Sequence, residues 1–400
     1  MCLTSRACAH EEEAMKFMGY RRQDGRIGIR NHILIIPSVL CSADVARMIA
    51  KKVEGTVCLN NQNGCGQVSG DLDITVRTLV GYATSPNVYG VLIVGLGCEQ
   101  LQAEILRQEI LKMENKPIEV VIIQSEGGIG NTVRAGIALA EKLVKKAAKE
   151  IRVECDLSDI ILGTQCGGSD PTSGLSSNLV VGDVSDRIVD LGGTSIISET
   201  PEFVGAEHVL AKHAVNESVG QEILDIVKNF ENNLASVGQS LRKGNPSPGN
   251  IRSGITTLEE KSLGCIHKAG TRPIQAVFGP GERVTKKGMV VMDTVAYDVV
   301  SVGDMVVGGS QLTIFTTGLG NPVGSPVVPV IKVTGNHKTY LNNEDFIDFD
   351  TSDSIAHKKT VEELGEELLN LVVEICNGKL VKAEEWGMTD IAINHLCTYD

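Results

Sequence analysis

The chain has 400 residues, 42% of them hydrophobic, enough for two or three domains with substantial cores. Its 37 basic and 50 acidic residues give a net charge of −13, which argues against a basic nucleic-acid face or an electrostatic membrane anchor. Eleven cysteines, an odd count without a secretory leader, argue against a disulfide scaffold and for the reducing cytosol, and no apolar run approaches the roughly 20 residues of a membrane span.

Residues 1–15 hold Glu11, Glu12 and Glu13 and no apolar segment, and read as a disordered extension. Apolar strands are expected at Ile33–Ile36, Gly55–Leu59, Val91–Val94 and Val120–Ile123, separated by helices over 43–52, 100–113 and 131–149. Continuous apolar strands alternating with helices indicate a parallel sheet covered on both faces, so 16–150 reads as a first α/β domain. The pattern restarts after 150 with Ile160–Leu162, a helix over 183–191, Thr194–Ser198 and a helical stretch over 205–233. A Pro/Gly-rich joint at 244–250 follows, then strands at Val290–Asp293, Leu312–Phe315 and Val328–Val333 and a helix over 361–377. The expected fold class is α/β, with two Rossmann-like parallel-sheet domains covered by helices and 151–400 as the C-terminal catalytic one.

Three cysteines share one context, a glycine turn after a strand: Gly64-Cys65-Gly66, Gly97-Cys98-Glu99 and Cys166-Gly167-Gly168. Ligands gather at the carboxyl edge of a parallel sheet, where three thiolates could converge on a soft metal; the alternative is three ordinary buried cysteines. Gly95-Leu96-Gly97-Cys98-Glu99-Gln100 lacks the third glycine of a dinucleotide fingerprint, and a Walker-type loop is absent. The corner Ser198-Glu199-Thr200-Pro201-Glu202, with His208 beyond it, offers two carboxylates and an imidazole for proton transfer or cation binding. On the other reading Glu202 caps a helix and His208 lies on its surface. Lys261 is a candidate base if desolvated, and otherwise a helix-face lysine.

Several motifs together resemble the altronate/galactarate dehydratase family. They are Gly25–Asn31, Gly95–Glu99, Cys166–Asp170 with Ser173, Gly174 and Asn178, Ser198–Glu202 with Gly205–His208, Pro246–Asn250, Thr256–Gly264, Phe315–Gly318 and Pro329–Lys332, spread from about residue 19 to 390. The resemblance implies a hydro-lyase that removes water from a hexonate-type sugar acid, such as altronate, to give a 2-keto-3-deoxy acid, with iron as the metal, mononuclear or in a cluster. Carried onto this sequence, it suggests metal binding by Cys65, Cys98 and Cys166. Proton transfer falls to His208, Glu202 or Lys261, and substrate anchoring to Arg30, Asn31, Ser169, Asp170, Lys332 and Asn336. Two departures stand out. Family members often carry an N-terminal SAF-type domain, so a small SAF-type partner chain is expected here, and a homo-oligomer is compatible with it. Where the family often has a His before the first glycine-cysteine turn, this sequence has Asn61. The alternative functions are the large subunit of a sulfolactate sulfo-lyase, a branch of the same family, and a non-catalytic sugar-acid-binding subunit.

Overall fold

The computed structural model describes residues 15–396, so all of the expected extension except Met15 lies outside the described residues. The first element was not foreseen: Lys16–Arg21 (β1) pairs antiparallel with Ile27–Gly28 (β2) on one side and with Val153–Asp156 on the other. Phe17 and Met18 alternate inward and outward along β1, as expected of a half-buried antiparallel strand.

The apolar runs of the first half form a four-stranded parallel sheet. His32–Pro37 (β3), Thr56–Cys58 (β4), Val88–Gly95 (β5) and Ile118–Ile122 (β6) lie in the order β4-β3-β5-β6. Every residue from Ile33 to Pro37 is buried, because helices cover both faces. One of those helices, Ser69–Ala83, carries mixed polar and apolar residues and gave no clear periodic signal.

Val153–Asp156 (β7) leads into the second sheet, in which seven strands are all parallel. They are Ile161–Cys166 (β8), Thr194–Ile197 (β9), Ile274–Phe278 (β10), Gly288–Met292 (β11), Leu312–Thr316 (β12), Val330–Thr334 (β13) and Phe349–Asp350 (β14), in the order β10-β11-β9-β8-β12-β13-β14. Helices Asn178–Asp190 and Val361–Cys376 bury Val180, Val184, Leu364 and Leu368 against Leu162, Ile314 and Ile331. The helical stretch expected over 205–233 divides into Glu207–Ala211 and Glu217–Ser236, and Asn216 caps the second piece through the Val219 amide. The joint at 244–250 becomes a short helix, Pro248–Ser253, opened by a capping box between Ser247 and Asn250.

One apolar cluster joins the two sheets, with Leu34, Leu79 and Ile93 packed together with Met292, Val302 and Phe315. Helices Ser69–Ala83 and Asp298–Gly308 meet there at Gly81, where an added Cβ would lie 2.4 Å from Val307. The fold is α/β, with both parallel sheets covered by helices.

In each sheet the chain winds first to one side and then to the other. β8 leads to β9 on one flank, while β12 lies on the opposite flank of β8 and leads on to β13. The reversal opens a crevice at the carboxyl ends of β8 and β12, the place where open parallel sheets bind ligands. Cys166 ends β8 at that point.

Candidate active site at the reversal of the second sheet

The turn after β8, Cys166-Gly167-Gly168-Ser169-Asp170, passes into a π-helical turn, Ser173–Ser177, ahead of the helix Asn178–Asp190. Single π turns inside helices are frequent at functional sites. The helix Leu258–Ile266 lies across this turn. Contact is backbone to backbone: a Cβ on Gly174 would sit 3.0 Å from the Gly264 Cα, and the reverse holds as well. Lys261 and Cys265, four residues apart, therefore face the same way from that helix. Between the turn and the helix lies a cavity of about 230 Å3, lined by Cys166, Ser169, Asp170, Lys261, Cys265 and His267 among others.

Two thiols stand in its inner wall, and a buried ammonium contacts both of them. Cys166 Sγ lies 3.5 Å from Cys265 Sγ, and Lys268 Nζ donates to both, at 3.0 and 2.8 Å respectively. Lys268 is wholly buried, and a buried ammonium needs an anion beside it. The hydrogen bond from Cys265 and then the Lys268 charge hold the Cys166 thiol down to about 6 against the effect of burial. Donating that hydrogen bond, together with burial, pushes Cys265 up. The pair thus carries one negative charge. Burial would lower Lys268, but the neighbouring Cys166 charge, reinforced by their hydrogen bond, raises it, so the ammonium persists.

Glu199 closes this group from the end of β9, with Oε2 3.9 Å from Cys166 Sγ. Its backbone is left-handed, at φ +73°, a conformation few non-glycine residues adopt and one that accumulates at functional sites. Burial, then the Cys166 and Glu202 charges, raise its carboxyl well above the usual range, which favours the protonated form.

A second ion pair stands beside the first. Lys261 Nζ donates to Glu202 Oε1 at 2.7 Å and to Asn245 Oδ1 at 2.8 Å, while the buried Glu202 Oε2 has no hydrogen-bond partner among the described residues. Burial opposes the Lys261 charge, but Glu202 and then Cys166 outweigh it and raise its pKa. Lys261 is therefore a charged donor; the base role read from the sequence requires a neutral amine, which this pairing disfavours.

The remaining sequence candidates divide by position. Ser169 and Asp170 line the cavity, and Asp170 is fixed there by Asn336, whose Nδ2 donates to Oδ2 at 2.8 Å, and by the Ser173 amide. His208 is exposed on Glu207–Ala211. Arg30 and Asn31 lie before β3, at the amino edge of the first sheet. Arg30 holds Glu384 through Nε at 2.7 Å and Nη2 at 2.8 Å, and it also reaches the Ile375 and Lys379 carbonyls. Asn31 joins Arg22 to the Ala147 carbonyl. Lys332 is wholly buried over the Phe315 ring, 4.5 Å from its centroid, with Nζ donating to the Val323 carbonyl. Burial lowers its pKa to about 7. These contacts give Arg30, Asn31 and Lys332 structural partners and do not bring them to the cavity wall.

Cys65 and Cys98 belong to the first sheet. Their turns are tied together by the Leu101 amide on the Gly64 carbonyl and by reciprocal bonds between Gln67 and Gln100, and both thiols are exposed. Gly64 has φ +106°, and a Cβ there would lie 2.0 Å from the Ser38 carbonyl oxygen, so only glycine fits. Asn61 is wholly buried and shapes this turn by bonding the Pro37 carbonyl and the Asn63 amide. Among the described residues, no cluster of three or more His, Cys, Asp or Glu side chains is arranged to hold a metal ion. The side chains around Cys166 do not fit a three-thiolate iron centre: its neighbouring thiol is Cys265, and an ammonium already contacts both sulfurs.

Sequence reasoning passed over Cys265, Lys268 and Asn245. The one signal for Lys268 was its spacing of three from Cys265, a helical interval.

Residues 157–398 match the family described as D-galactarate/Altronate dehydratase, C-terminal, and residues 19–148 match D-galactarate dehydratase/Altronate hydrolase, second domain. The chain belongs to the altronate/galactarate dehydratase family. Among curated relatives of this family, the altronate dehydratase of Bacillus subtilis (strain 168) is 32% identical, over 96% of this chain and 78% of its own length. The galactarate dehydratase (L-threo-forming) of Escherichia coli (strain K12) is 35% identical, over 94% of this chain and 76% of its own. The (2R)-sulfolactate sulfo-lyase subunit beta of Chromohalobacter salexigens is 32% identical, over 96% of this chain and 99% of its own. The dehydratase relatives support a lyase activity for the chain, without specifying its substrate.

Proposed function

We propose that the chain is the catalytic part of a sugar-acid hydro-lyase that converts a hexonate, altronate in the first instance, to a 2-keto-3-deoxy acid. The observation that carries this reading is a thiolate and an ammonium, each with a buried partner of opposite charge, facing one small cavity. Elimination beside a carboxylate needs a base for the α-proton and an acid for the departing hydroxyl. Cys166, the anionic member of the thiol pair, serves as the base. Lys261 serves as the acid, with Glu202 and Asn245 fixing its ammonium, and the same charge stabilises the enediolate that forms between the two steps. A volume of about 230 Å3 is below the range of drug-sized pockets and suits a short polyol acid. Iron enters this scheme at no step.

We propose further that a small SAF-type chain completes the enzyme in the cytosol. The relative named as a subunit supports a two-chain arrangement. That relative also favours a second reading, sulfite elimination from sulfolactate, since the similarity extends over 99% of its length. Assaying the chain, alone and with the small partner, against altronate, galactarate and sulfolactate separates the readings. Formation of a 2-keto acid from altronate supports the first. Sulfite release with both sugar acids untouched overturns it in favour of the second, and stoichiometric binding without turnover leaves only a sugar-acid-binding subunit.

A further inference from the structure

The two thiols of the cavity wall have a chemistry that elimination does not use. Cys166 and Cys265 are separated by 99 positions in the sequence, yet their sulfurs are 3.5 Å apart, against about 2.05 Å in a disulfide. Both are more than nine-tenths buried from bulk solvent, but both line the cavity, so a reagent of water-like size reaches them through it. Lys268 touches both sulfurs and stabilises an anion on the pair. A nucleophilic sulfur with a second sulfur in contact is the arrangement that captures a sulfenic acid before it oxidises further.

We propose that Cys166 and Cys265 form a reversible disulfide when the protein meets hydrogen peroxide, and that this closes the active site. In the first step the Cys166 thiolate attacks one peroxide oxygen. The O–O bond breaks, and hydroxide leaves and takes a proton from solvent, so that Cys166 becomes a sulfenic acid and one water forms. In the second step the Cys265 sulfur attacks the sulfenic sulfur. The S–O bond breaks, and the departing hydroxide leaves as water with the Cys265 proton. The two sulfurs give up two electrons in total, and the peroxide is reduced to two waters. The product ties the helix Leu258–Ile266 to the end of β8, removes the base and leaves the Lys268 ammonium without the anion it faces. A dithiol reductant reverses the change by exchange through a mixed disulfide.

The test is a peptide map of the full chain. Protein treated with hydrogen peroxide is denatured without reductant, alkylated with iodoacetamide and digested. The expected result is a new pair of peptides joined through Cys166 and Cys265, two hydrogens lighter than their sum, with two fewer alkylated cysteines and full reversal by dithiothreitol. Recovery of both cysteines as alkylated thiols overturns the proposal, as does Cys166 recovered as a sulfinic acid beside an alkylated Cys265. In Cys265→Ser, peroxide should carry Cys166 to the sulfinic acid, which dithiothreitol does not reverse; a sulfenic acid that persists there instead removes the resolving role of Cys265. The wild-type map decides the matter if that variant does not fold. Loss and return of turnover in step with the linked peptide tests the closure, which rests on the function proposed above. A linked peptide in a protein that eliminates nothing from any of the three acids overturns that function and leaves the disulfide standing.

Discussion

The carboxyl edges of the two parallel sheets carry the same local sequence, a cysteine beside glycine after a strand, and do different things with it. In the first sheet Cys65 and Cys98 are exposed, and their turns are held together by backbone and glutamine amide bonds. In the second, Cys166 faces inward onto Cys265 and Lys268. Glycine sets the turn in each case. What differs is the helix Leu258–Ile266, which covers the second edge and supplies Lys261 and Cys265, with Lys268 following in the next turn, all from far along the chain. A thiol becomes a reactive anion through its neighbours and not through its turn.

The sharpest way to break this contrast is substitution at the three cysteines. Cys166→Ala is expected to lower kcat by about 10²–10⁴, the usual worth of a positioned acid or base, whereas Cys65→Ala and Cys98→Ala leave kcat within a small factor. Iron content measured alongside decides the metal. Equal loss of iron and of turnover in all three variants would restore the three-thiolate centre and dissolve the distinction between the edges.

Lys268→Met is expected to come next in size, because it leaves the thiol pair without its cation. The wild-type rate should rise with pH through about 6 as Cys166 becomes the thiolate, the form that accepts a proton. In Lys268→Met this rise should move toward the ordinary thiol range, and Lys268→Arg should restore part of the shift. A pH–rate profile unchanged in the Met variant would show that the ammonium is structural only.

Gly174→Ala tests the close approach that positions the covering helix. The new Cβ meets backbone, which cannot rotate away, and a destabilisation of about 1–3 kcal/mol in denaturant unfolding is expected. The smallest effect concerns Lys332, whose amine titrates near 7 in the fold and near 10.5 when unfolded. Between those values the unfolded chain binds the extra proton, so stability rises with pH across that window. Calorimetric melting of Lys332→Met should therefore gain least, or lose most, relative to wild type at the alkaline end. A difference independent of pH would show that Lys332 keeps its proton in the fold.

The parallel sheets were legible in the sequence because strands buried on both faces leave continuous runs such as Ile33–Ile36 and Leu312–Phe315. β1, β10 and the helices Ser69–Ala83 and Asp298–Gly308 were not: the strands are short and mix polar with apolar residues, and the helices bury polar side chains such as Asp71, Thr75 and Ser301, which blurs the local period. The candidate site was readable where a motif and its geometry share one turn, as at Cys166–Asp170 and Glu202. Arg30 and Lys332 lay in equally marked motifs, but they hold the fold through Glu384 and the Val323 carbonyl. Cys265 and Lys268 were obscured for the opposite reason: only their spacing of three marks them locally, and the fold alone brings them to Cys166.

That distance in sequence has a consequence during synthesis. Cys166 leaves the ribosome 99 residues before Cys265, an interval of about 5–20 s at ordinary elongation rates. For that time neither its partner thiol nor Lys268 exists, and the Cys166 thiol keeps the unreactive protonated form of a free cysteine. The nascent chain is thereby spared premature oxidation at this position, and the sulfur acquires its reactivity when the residue able to resolve that oxidation arrives.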